Sequence, residues 1–153
     1  MSYIEFDQTD GQGWRKYTTT GTKEYTKAAE IIEYYIANKK DIPIEDIYML
    51  HWHAGQMYAE DNKYPRALLH FRKAYLSGED LHDKYWNCYV RATIAFLNKD
   101  LDSLRIIKAA MSELPEIDGM HTNLAFVRSF IRNIDKPYSF AYKDVINNLN
   151  YKE

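Results

Sequence analysis

Three side chains in this sequence could do chemistry by type: His51, His53 and Cys88. Two histidines two residues apart suggest a metal-ligand pair. On a helix, however, an i, i+2 pair points about 200° apart and cannot clasp one ion. Cys88 stands 37 residues after His51, in the same register of the repeat described below, so a thiolate–imidazole pair is geometrically conceivable between successive repeats. That register is also an inward packing position, where cysteine behaves as a small hydrophobe. The expectation is therefore structural roles for all three, with no catalytic residue and no metal site.

The carboxylates tell a similar story. Glu45, Asp46, Glu60 and Asp61 bracket one stretch of chain without forming a close pair, and they read as helix-cap and turn residues. No Gly-x-Ser-x-Gly, no phosphate-cradling glycine loop and no His-Glu-x-x-His occurs. No cofactor is expected.

The elements that must position these side chains announce themselves by recurrence. A three-position pattern returns four times, at Tyr25-x2-Ala28-x3-Ile32, Tyr64-x2-Ala67-x3-Phe71, Leu101-x2-Leu104-x3-Lys108 and Tyr138-x2-Ala141-x3-Val145. The spacings of 39, 37 and 37 residues are those of a chain made of stacked helical hairpins. Apolar periodicity and punctuation by Gly, Pro, Asn and Asp place about seven helices: Thr22 to Lys39, Ile44 to Glu60, Tyr64 to Leu76, Leu81 to Leu97, Leu101 to Leu114, Met120 to Asn133 and Ser139 to Leu149. Residues 1–13 hold Gly11 and Gly13 and have no clear period, so they read as a flexible or draped lead to one domain over 14–153.

Charge and composition narrow the function classes. Lys and Arg number 20 against 22 Asp and Glu, a net charge of −2, with no run of five like charges. Nothing here favours nucleic acid as a partner. No apolar run approaches the roughly 18 residues of a membrane span, and the start MSYIEFDQTD is acidic where a secretory signal is basic, so a cytoplasmic protein is expected. The single cysteine fits that compartment. Aromatic residues reach 15%, with 14 Tyr, 6 Phe and 3 Trp, which suits both helix seams and a binding face.

The best-formed unit runs His51-x2-Ala54-Gly55-x2-Tyr58, then Ala67-x3-Phe71-x2-Ala74. It resembles the tetratricopeptide repeat family, matching five of seven positions, with His51 where Trp is usual and Ala54 where Leu is usual. Gly55 and Ala67 are the small residues at which the two helices of the hairpin approach, and Tyr58 and Phe71 fill the space around them. In the next unit Ala92 takes the glycine position. The resemblance implies an all-α, right-handed superhelix of stacked antiparallel hairpins.

It also implies a binding face. In that family the first helix of each hairpin lines the inner surface, which carries over to Met49, Trp52 and Gln56 in one repeat and to Trp86, Tyr89 and Thr93 in the next, with Phe126 and Phe130 continuing the stripe. Trp52 and Tyr89 are expected to be partly exposed there. These positions are largely aromatic or uncharged, so recognition of a free, acidic chaperone tail is not expected. The layout also looks like small bacterial proteins of tetratricopeptide type. The reading is a non-catalytic protein that binds another protein, an immunity protein neutralising a cognate toxin being one such job. An adaptor or chaperone presenting a peptide is the alternative, and a hydrolase using His51, His53 and Cys88 is a third.

Overall fold

The computed structural model describes residues 1–19 and 21–149, with Leu149 described by its backbone alone. All regular structure among these residues is helical: a single π-helical turn (Ile4–Gln8), then α1 (Lys16–Thr19), α2 (Tyr25–Asn38), α3 (Ile44–Glu60), α4 (Tyr64–Phe71), α5 (Leu81–Leu97), α6 (Leu101–Glu113), α7 (Met120–Arg132) and α8 (Tyr138–Leu149). Helices α2 to α8 are the seven that the periodicity predicts. The π-helical turn and α1 are additional. No helix among the described residues is long and apolar enough to cross a membrane.

Capping explains several of the boundaries. Asp80 and Asp100 accept hydrogen bonds from the backbone N–H groups of Asp83 and Ser103, at 2.9 and 3.0 Å, and so start α5 and α6. The helix ends repeat as the sequence does. Asn62 and Lys99 both take the left-handed conformation at φ 57°, and in each case the next residue donates back across the turn, Lys63 to the Tyr58 carbonyl at 2.9 Å and Asp100 to the Ala95 carbonyl at 2.8 Å. That six-to-one bond is a Schellman closure. It lets α3 turn into α4 and α5 into α6 by the same backbone route.

Two predicted boundaries differ by three residues or more: α2 starts at Tyr25 and not at Thr22, and α4 ends early. Helix α4 ends at Phe71 and not at Leu76. The last turn tightens through bonds from Lys73 to the His70 carbonyl and from Ala74 to the Phe71 carbonyl, at 2.9 and 3.0 Å. Beyond it the side-chain amide of Asn87 accepts from the Leu76 N–H and donates to the Leu76 carbonyl, both at 2.8 Å. Asn87 thus satisfies both backbone groups of Leu76 without another helical turn.

The contacts divide the chain into two compact units, the first Met1–Ala74 and the second starting at Tyr75. In the first, α1 packs on α2, α2 on α3 and α3 on α4. Its core includes Phe6, Trp14, Ala28, Ile32, Tyr35, Leu50 and Ala54. The first dozen residues belong to this core: Phe6 is buried and stacks on Tyr35 with ring centroids 3.9 Å apart. Burying a ring of that size is worth roughly 1.5–3 kcal/mol, one contribution to holding the segment down. In the second unit α5 packs on α6 and α7, α6 on α7, and α7 on α8. Phe96, Leu104, Met111, Val127, Phe130 and Tyr138 lie at its centre.

The repeat positions Gly55, Tyr58, Ala67, Phe71, Ala74 and Ala92 are all buried. A Cβ placed at Gly55 would lie 2.7 Å from two ring carbons of Phe71. The close approach that requires glycine is therefore to the Phe71 ring, rather than to the backbone near Ala67.

Candidate functional site

Three helices of the first unit contribute to one polar network. Glu33 on α2 accepts a hydrogen bond from His70 Nε2 on α4 at 2.8 Å, and from Arg66 at 3.1 and 3.0 Å. Arg66 also donates to the Tyr58 hydroxyl on α3 at 2.8 Å. His70 Nδ1 lies 2.9 Å from His51 Nδ1, completing a chain from Glu33 through His70 to His51. Because the carboxylate fixes a proton on His70 Nε2, a neutral His70 presents Nδ1 as acceptor, and His51 donates to it through Nδ1–H.

The electrostatics follow from that arrangement. Burial, the neighbouring His70 and Lys73 push the His51 pKa down to about 4, so its imidazole is neutral at ordinary pH. Burial works to raise Glu33, but the hydrogen bonds from His70, Arg66 and Tyr58 and the Arg66 charge outweigh it and leave the carboxyl below its ordinary range. Tyr58, buried and beside that carboxylate, is pushed up to about 12. Glu33 is held ionised and already matched, with its charge committed to α4.

Above this network a cleft of about 280 Å³ opens between α2 and α4. It is lined by Glu33, Ile36 and Ala37 on one side, Leu69, His70 and Lys73 on the other, and His51 of α3. Leu69 is 59% exposed at this cleft. An exposed leucine lining a cleft offers apolar area for a contact surface.

His53 belongs to a different network. Its Nδ1 lies 2.8 Å from Asp7, whose side chain is fully buried and also accepts from Trp14 Nε1 at 2.9 Å. Burial raises the Asp7 carboxyl, but bonds from His53, Trp14 and Tyr3 together with the His53 charge overcome that and hold it below its usual range. The two histidines thus serve separate partners, as their spacing on one helix requires. Cys88 lies in the second unit, buried, and burial pushes its thiol pKa up, the reverse of an activated nucleophile.

The residues that the family resemblance assigns to a binding face fare differently. Trp52 and Tyr89 are not partly exposed: they retain 4% and 5% of their surface. Trp52 packs on the Phe71 ring at 4.9 Å, and Tyr89 stacks on Phe126 at 5.4 Å, so each covers a neighbouring helix. Thr93, Phe126 and Phe130 are likewise buried. Met49, Gln56 and Trp86 are half-buried. Trp86 lines a second-unit cleft of about 260 Å³ with Tyr85, Ile117 and Asn123.

Sequence reasoning overlooked Glu33, Leu69, His70 and Lys73. A signal was present: Arg66 and His70 fall at i and i+4 on one side of the second helix of the best-formed hairpin, and Lys73 follows in the turn that closes it. Comparison with protein-family models, with curated proteins and with solved structures finds no match to this chain.

Proposed function

We propose that this chain is a non-catalytic protein-binding module of tetratricopeptide type, its hairpins stacked in a right-handed superhelix, and that it neutralises a cognate bacterial toxin in the cytoplasm by direct binding. The observation that carries the protein-binding reading is the cleft between α2 and α4, where exposed Leu69 stands above a floor whose polar groups are already bonded to one another. Such a floor is neutralised internally, so burying it beneath a partner carries a small desolvation cost. The toxin assignment rests on the resemblance of the hairpin motif and of the overall layout.

The test is recovery of the partner. A tagged chain purified from its native cell should retain one folded protein, encoded beside it, with nanomolar affinity or better. Leu69→Asp should release that protein without lowering the melting temperature. Failure to retain any partner, or retention indifferent to Leu69→Asp, would refute the assignment of this cleft.

A further inference from the structure

The geometry points to an acidic segment of the partner as the occupant of the α2–α4 cleft, with one apolar side chain against Leu69 and a carboxylate against Lys73. This inference rests on the protein-binding reading above and adds the chemistry of what is bound.

The charges lining the cleft are unequal in their commitments. Glu33 accepts from both Arg66 and His70, so its negative charge is spent inside the unit. His51 bonds His70 and stays neutral, since two imidazolium N–H groups facing each other at 2.9 Å would repel. Lys73 remains. Its ammonium enters none of the ion pairs formed among the described residues, and Arg72 beside it is exposed and equally unpaired.

An occupant must therefore deal with an uncompensated cation. A basic segment would meet repulsion at Lys73. A wholly apolar one would cover the ammonium without pairing it, which is costly. A carboxylate supplies the missing partner, while an adjacent leucine- or phenylalanine-sized side chain fills the space between Ile36, Ala37 and Leu69.

The inference can be tested without knowing the partner. A 12-residue peptide carrying one central Leu flanked by Glu is titrated into the full chain, beside its counterpart with Lys for every Glu, and backbone NMR shifts are followed. The acidic peptide should move the amides of Ile36, Ala37, Leu69 and Lys73, and the basic one should leave them unmoved. Lys73→Glu, an exposed substitution that preserves the helical spectrum, should reverse that preference, and Lys73→Gln should weaken acidic-peptide binding about tenfold. Equal binding of both peptides, or shifts confined to other helices, would overturn the inference. Should Leu69→Asp release the native partner while Lys73→Glu leaves its affinity unchanged, the acidic occupant is refuted and the protein-binding reading stands. Retention of the partner by both variants refutes both.

Discussion

His53 donates through Nδ1 to Asp7 Oδ1 at 2.8 Å, across 46 residues of sequence. This one bond joins the π-helical turn near the N-terminus to the middle of α3. Asp7 is fully buried, and its other oxygen contacts go to groups on the same segment: Oδ1 also accepts from Trp14 Nε1, and Oδ2 accepts from the Gln8 amide. A buried carboxylate without such donors would cost several kcal/mol, so the segment and α3 depend on each other.

Removing the carboxylate should therefore release the N-terminal segment. Asp7→Ala leaves the His53 and Trp14 N–H groups without their acceptor, an expected loss of about 3 kcal/mol. Hydrogen exchange is the discriminating measurement. Amides of residues 3–19 should exchange much faster in the variant, with α5 to α8 unchanged; protection that survives intact would mean that Phe6 and Trp14 alone hold the segment.

This segment is also where sequence reading fell short. The helices are legible because each has a 3.6-residue apolar stripe, and their turns because Asn62, Lys99 and Pro43 punctuate them. The first dozen residues have no stripe to read. Their placement comes from two rings, Phe6 and Trp14, and one carboxylate that finds His53 only after folding. The same holds for the cleft. Glu33, His51 and His70 sit on three different helices and are joined by tertiary contacts, whereas the register inherited from the repeat pattern led to Trp52 and Tyr89, which are core residues. Periodicity reports which face is apolar; it does not distinguish an apolar face covered by a neighbouring helix from one awaiting a partner.

Gly55 offers a sharper test of the α3–α4 hairpin. Even the Cβ of alanine would lie 2.7 Å from the Phe71 ring, and Phe71 has no exposed surface into which to retreat. Gly55→Ala should cost on the order of 1–3 kcal/mol despite alanine's better helix propensity. Combining it with Phe71→Leu should recover part of the loss in chemical denaturation. A stabilised single variant would show that the two helices can part without penalty.

Cys88 should behave as a packed thiol. Its burial and raised pKa keep it protonated, so a disulfide reagent such as 5,5′-dithiobis(2-nitrobenzoate) should react with the native chain at least tenfold more slowly than with the urea-unfolded one. A native rate matching the unfolded rate would put an accessible thiolate on the surface and reopen thiol chemistry.

The histidine chain should make the first unit acid-labile, and the sign can be worked out from its groups. His51 has a folded pKa of about 4 against 6.5 in the unfolded chain, so folding favours its neutral form. The stability linked to that form is fully present above pH 6.5 and is lost as pH falls toward 4. Glu33, with its pKa lowered below 4.5 by His70, Arg66 and Tyr58 in spite of burial, adds a loss in the same direction at the lower end of that window. After discounting for the half-buried position of His51, the loss attributable to it is on the order of 1–2 kcal/mol. The Glu33 bond raises the pKa of Arg66 further, so this cation of the network stays charged throughout and does not change the sign. Urea denaturation at pH 7.5, 5.5 and 4.5 measures the effect, with His51→Gln as the comparison because it keeps a polar side chain that does not titrate. The wild-type midpoint should fall across this range and the variant's midpoint should fall distinctly less; parallel slopes would mean that the acid sensitivity arises elsewhere than at the His51–His70 contact.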